Sequence, residues 1–217
     1  MYSSAKTVPL ADALFPTGNL TRRMIRDAAL IIGFSLLVAL FARISVHLGF
    51  TPVPITGQTL AVLLTGAVLG SWRGAAALTL YLLEGGWLPV YAGKTYLWQD
   101  SAGGYIFGIT SGGSGLFWDL ASGGYLIGFI PAAFVVGFLC ERGWDRQVWI
   151  MLAMLAGNII LYVPGLVQLS FFVPEGKVLE FGLYPFILGD LIKLYIASLA
   201  VPSAWSLLHR VGRGGRD

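Results

Sequence analysis

Apolar residues fall into six runs, at about 25–48, 59–69, 75–88, 124–140, 148–172 and 183–208, parted by short breaks rich in charge, glycine or proline. A helix rises 1.5 Å per residue and a bilayer core needs about 20 residues, so the longer runs read as membrane-crossing helices. The runs at 59–69 and 75–88 are short and imply tilted or partial crossings. Between the first two lies FTPVPITGQT, residues 50–59, where Pro52 and Pro54 forbid a regular helix and predict an extended loop. A tight turn is expected at 70–74, a charged turn at ERGWDRQ (141–147) and a polar loop at 173–182. The expected organisation is a polar tail at 1–23 with a short surface-lying piece at 10–15, a six-helix membrane domain at 24–208 and a basic tail at 209–217. Residues 89–121 are rich in Gly, Ser and aromatics, and GGYIFGI (103–109) there nearly repeats in GGYLIGF (123–129). The second copy opens the fourth run; the first reads as a re-entrant half-helix or a lid.

Composition agrees with a membrane class. The 217 residues are 56% hydrophobic and 12% charged, with mean hydropathy +0.76. About 25% charge is usual in globular chains, so polar groups are too few to coat a water-soluble surface. A net charge of +3 is too small to argue for nucleic acid. One cysteine, Cys140, leaves no internal disulfide or cysteine-based metal cluster, and His47 and His209 are too far apart in sequence to suggest a metal site. Six crossings place both termini on one side. Lys6, Arg22, Arg23, Arg26, Arg73, Arg142, Arg146, Arg210, Arg213 and Arg216 then share that side, Lys94 and Lys177 fall opposite, and Arg43 and Lys193 lie within spans. That bias assigns both termini to the cytoplasm.

The candidate chemistry sits in the last run, LYPFILGDLIKLYIASLAVPSAWSLL, whose two charges are Asp190 and Lys193. Each costs about 2.5–3.5 kcal/mol within a span, so each needs a partner or a purpose. Three residues apart they share a helix face, near enough to act on a common ligand or to neutralise each other as helix glue. The predicted topology sets Asp190 about 9 Å in from the outer end of its helix, on the side of the 50–59 and 89–121 loops. A carboxylate accepts from ligand N–H groups and an ammonium pairs with a carboxylate. Tyr125, Gln58, Thr56 and Asn158 are further polar candidates, with interfacial aromatic (Tyr125) and interhelical hydrogen bonding (Asn158) as their plainer readings. Gly66, Gly70 and Gly74, like Gly124 and Gly128, recur at the spacing that lets membrane helices pack closely. AGKT (92–95) lacks the first glycine of a phosphate-binding loop, since position 88 is Leu88, and no Ser/His/Asp set emerges. No catalytic residues and no cofactor are therefore expected.

ARISVHLGFTPVPITGQTLAVLLTGAVLG (42–70), YLLEGGWLPVYAG (81–93), SGGYLIGFIPAAFVVGFL (122–139) and PFILGDLIKLYIAS (185–198), in this order, make the chain resemble the BioY family, the biotin-binding S components of energy-coupling factor (ECF) vitamin transporters. The resemblance covers about residues 35–208. It implies six membrane helices around a biotin pocket open to the outside, a separate transmembrane coupling subunit and two cytoplasmic ATPases that hydrolyse the ATP. On this resemblance Asp190 and Lys193 contact ligand, Asp190 suiting ureido N–H groups and Lys193 the valerate carboxylate. Tyr125 becomes a pocket wall and the 50–59 loop, with Pro52 and Pro54, its gate. Ser35 and Ala39 form a small-residue pair for docking the coupling subunit. Alternatives are an S component for another vitamin, a proton-coupled biotin carrier acting alone, and a membrane enzyme.

Overall fold

The computed structural model describes residues 7–86, 88, 90–92, 96–99, 105–109, 117 and 120–213. Helices run α1 Leu10–Leu14, α2 Leu20–Ala42, α3 Gln58–Leu69, α4 Ser71–Glu84, α5 Gly123–Leu139, α6 Gln147–Leu169, α7 Val178–Gly182 and α8 Tyr184–Arg213. Two antiparallel pairs interrupt them: β1 Ser45–Val46 with β2 Ile55–Thr56, and β3 Tyr96–Gln99 with β4 Tyr105–Ile109. Among the described residues, four helical stretches are long and apolar enough to cross a membrane: Leu20–Ala42, Gly123–Trp144, Val148–Leu169 and Val178–Leu208. The short α3 and α4, 12 and 14 residues, stand where the short runs predict them.

Several boundaries differ from the sequence reading, each for a local reason. Asn19 starts α2 earlier than its apolar run by accepting a hydrogen bond from the Thr21 backbone N–H at 3.0 Å. The helix ends at Ala42 rather than near 48, because the chain turns into β1 and the Gly57 N–H bonds back to the Ile44 carbonyl. Arg43 and His47 therefore lie beyond the helix. The turn at 70–74 shrinks to one residue, Gly70 at φ 84°, after which α4 resumes at Ser71. A π-helical turn, Cys140–Trp144, occupies the charged break, and α7 forms inside the polar loop. The YIFGI part of the first glycine repeat is strand β4, which replaces the half-helix alternative; residues 103 and 104 lie outside the described residues, as do 93–95 of AGKT.

The glycine spacing is a packing signal. A Cβ on Gly66 would stand 2.3 Å from the Ala133 carbonyl oxygen, and one on Gly137 would stand 2.4 Å from the Gly70 carbonyl carbon. Gly124 and Gly128 face the Pro164 and Leu161 carbonyls of α6 in the same way, at 2.1 and 2.7 Å. Backbone thus lies on backbone along the α3–α5–α6 seam, the geometry small residues permit between membrane helices. On α8 the buried residues Phe186, Asp190, Leu194, Ala197 and Val201 form one stripe. Leu188, Leu191, Tyr195 and Leu199 point away from the bundle.

At the end where α2 and α4 begin, α1 is strapped down rather than lying on the surface. Leu10 and Ala11 are buried, and the Thr7 N–H donates to the Glu141 carbonyl. Asp12 receives Arg73 at 2.7 and 2.8 Å and Arg26 at 2.5 Å, while Asp27 accepts from the same two guanidinium groups at 2.7 and 2.9 Å. Burial pushes the Asp12 carboxyl up, but the Arg73 hydrogen bond and the charges of Arg73 and Arg26 outweigh it and hold its pKa below the usual carboxylate value.

Candidate functional site

A cavity opens at the opposite end, where α3, α5 and α8 begin and α4 and α6 finish. Its enclosed volume is about 50 Å³, beneath a mouth open to solvent. Its mouth carries Val53, Pro54 and Thr56, held by the Pro-rich hairpin loop between β1 and β2. Thr51 Oγ1 donates to the Phe181 carbonyl at 2.7 Å, latching that loop to α7. The apolar wall comprises Tyr91, Leu126, Phe129, Leu161 and Phe186. Tyr91 is fully buried, edge-on to Tyr81 with centroids 5.5 Å apart, and its hydroxyl donates to the Leu82 carbonyl.

The polar floor is carried by α8. Lys193 Nζ lies 3.1 Å from Asp190 Oδ1 and donates to Thr59 Oγ1 at 2.9 Å. Thr59 Oγ1 donates to Asp190 Oδ1 at 3.3 Å, and Tyr162 Oη donates to Asp190 Oδ2 at 2.5 Å. Both side chains are largely buried, 8% exposed for Asp190 and 15% for Lys193. A buried charge pair needs this second layer of hydrogen bonds, because mutual attraction alone offsets little more than the desolvation cost. The result is a compact dipole at the floor of an apolar cavity: an anion for N–H donors beside a cation for carboxylates.

The remaining candidates divide. Gln58 and Thr56 line the cavity, but Gln58 Nε2 donates to Tyr81 Oη at 2.6 Å, and Tyr81 Oη donates to the Val90 carbonyl at 2.9 Å. Tyr125 is a cavity wall whose hydroxyl is spent on the Gly182 carbonyl at 2.7 Å, leaving its ring to face the site. Asn158 lies instead in a neighbouring groove between α6 and α8, shared with Tyr162 and Asp190. Ser35 is fully buried and donates to Glu84 Oε1 at 3.1 Å, while Ala39 is partly buried against the same core. Ser35 is therefore turned into the bundle. Sequence reasoning missed Thr59 and Tyr162. The available signal was register: Tyr162 follows Asn158 by four residues and shares its helix face, and Thr59 is one residue from Gln58.

The BioY family model matches residues 16–112 and 102–210. The chain belongs to the BioY family. Among its relatives are the biotin transporter BioY of Rhodobacter capsulatus, 39% identical over 186 residues (75% of this chain, 88% of that one), and that of Thermotoga maritima, 36% identical over 171 residues (76% and 88%). The Rhizobium etli biotin transporter BioY is 36% identical over 185 residues, covering 80% of this chain and 90% of its own. The fold matches the crystal structure of the S-component for biotin from an ECF-type ABC transporter. The TM-score is 0.69 over 87% of this chain and 95% of that one, at 23% identity. The family regions span every residue of the polar floor, so Thr59, Tyr162, Asp190 and Lys193 are part of the family domain rather than an addition to it.

Proposed function

We propose that this chain is the biotin-binding S component of an ECF transporter, capturing biotin from the outer side of the cell membrane for ATP-driven uptake. The observation that carries this reading is the buried Asp190–Lys193 pair, braced by Thr59 and Tyr162, at the floor of a largely apolar cavity. Family membership and relatives named as biotin transporters support the choice of ligand. Asp190 receives ureido N–H groups and Lys193 the carboxylate, with Tyr125, Gln58 and Thr56 as walls and the Pro52–Pro54 loop as the gate. Residues 24–208 form six crossings with both termini cytoplasmic, α3 and α4 being the short ones, between tails at 1–23 and 209–217. A transmembrane coupling subunit and two ATPase subunits supply the energy; the chain needs no cofactor of its own and performs no catalysis.

The test is calorimetric titration of biotin into the purified full chain in detergent, with Asp190→Asn and Lys193→Ala in parallel. Saturable binding that both changes weaken at least tenfold is the expected result. Absence of binding at micromolar biotin would remove the biotin reading, and binding indifferent to both changes would reduce the pair to a structural bridge.

A further inference from the structure

Asn158 is 5% exposed, and its side-chain oxygen Oδ1 has no hydrogen-bond partner. It stands midway along α6, where an unmatched acceptor away from water costs free energy comparable to a lost hydrogen bond. It lines the α6–α8 groove together with Tyr162 and Asp190, and these last two also line the outer cavity. The Tyr162–Asp190 hydrogen bond is thus the partition between the two spaces. Three polar groups meet there in a fixed order of chemistry: an acceptor (Asp190), a hydroxyl donor (Tyr162) and an unused acceptor (Asn158). The other side chains lining the groove are apolar, Leu155, Ile159, Ile187 and Leu194 among them.

We propose that ligand binding opens this partition and that Asn158 is the second ureido acceptor, so that the recognition site extends from the outer cavity into the α6–α8 groove. The edge of a cyclic urea presents N–H, C=O and N–H side by side: donor, acceptor, donor. Asp190, the Tyr162 hydroxyl and Asn158 Oδ1 are its complement, one N–H to each acceptor and the carbonyl to the hydroxyl once Tyr162 leaves Asp190. Ligand thereby supplies the donor that Asn158 lacks. The class selected is a five-membered cyclic urea with both nitrogens unsubstituted; a ligand missing either N–H leaves one buried acceptor unmatched, which recognition sites built on hydrogen bonds reject strongly. This inference rests on the biotin reading above and deepens it.

The experiment titrates biotin, its thiourea analogue and its two mono-N-methylated ureido isomers into the full chain in detergent, with wild type, Asn158→Leu and Tyr162→Phe, and records the thermal unfolding of each ligand-free variant. Leucine matches asparagine in size and removes the unmatched acceptor, so Asn158→Leu is expected to unfold at or above the wild-type temperature while binding biotin about 10–100-fold more weakly. One methyl isomer, penalised in wild type, is expected to lose its penalty in Asn158→Leu alone, because its missing N–H and the missing acceptor are the two halves of one contact. Tyr162→Phe, which keeps the ring, is expected to narrow the preference for the urea over its thiourea analogue. Wild-type biotin affinity in Asn158→Leu, or both isomers penalised as in wild type, overturns the inference while leaving the biotin reading intact. No biotin binding by wild type overturns both.

Discussion

Within one turn of α8, Lys193 Nζ reaches back 3.1 Å to Asp190 Oδ1, and Thr59 of α3 bridges the two. The pair is a local contact fastened to a second helix, so its removal can be separated from its use. Replacing both charges together, Asp190→Asn with Lys193→Met, is expected to change thermal stability little, since neutral isosteres of a buried pair are often no worse for folding. Lys193→Met alone leaves Asp190 unpaired and is expected to destabilise by about 3 kcal/mol. Both variants are expected to lose ligand binding. A double variant that keeps wild-type affinity would show the charges serve packing alone.

Gly66 offers a test of the seam. A Cβ there would overlap the Ala133 carbonyl oxygen at 2.3 Å, a backbone atom that no rotamer change relieves. Gly66→Ala is expected to destabilise by about 1–3 kcal/mol, read as a lowered unfolding temperature in detergent. Gly33→Ala, with open space around the added methyl, is the control and is expected to be neutral or slightly stabilising.

Thr51 controls the mouth. Thr51→Val removes the hydroxyl that donates to the Phe181 carbonyl and accepts from the Val53 N–H at 3.2 Å. Losing about 0.5–1.5 kcal/mol of latch is expected to raise the ligand off-rate roughly 2–10-fold. Stopped-flow tryptophan fluorescence reads this directly, and an unchanged off-rate would mean the loop is held by its apolar contacts.

Acid acts on the opposite end. The Asp12 pKa in the fold is lowered from 3.8, so its contribution to stability is fully present above about that value and is lost as pH falls through the lower folded value. Wild type is therefore expected to exceed Asp12→Asn in stability at pH 7, with the difference shrinking below about pH 4. Proteolysis within residues 7–19 is the matching local probe, because freeing Asp12 from Arg26 and Arg73 releases α1.

Much of this was legible in the sequence because bilayer physics leaves few options: apolar runs become helices, and Gly70, Pro52 and Pro54 mark where they stop. The α3 run, predicted from 59, starts at Gln58. What stayed hidden was tertiary. Ser35 reads as a small surface residue until α4 brings Glu84 against it. Leu10 and Ala11 read as a surface patch until α3 and the ion cluster hold α1 down. Asp190 and Lys193 stand out by charge in an apolar run. Tyr162 does not, because a tyrosine in a membrane helix is ordinary until its hydroxyl is found on a carboxylate.

The stripe on α8 has a mechanical consequence. The helix that carries the charged pair near its start continues as one rod to Arg213, about 30 Å beyond Lys193 at 1.5 Å per residue. Among the described residues its outward faces, Leu188, Leu191, Tyr195 and Leu199, stay exposed, unlike the glycine-seamed walls beside it. A tilt of about 5° at Asp190 would displace the far end by roughly 2–3 Å at that rise, and Pro202, inside the rod, removes one rung of its backbone ladder. A shift of the charged pair would thereby be carried along the rod to Arg210 at its far end.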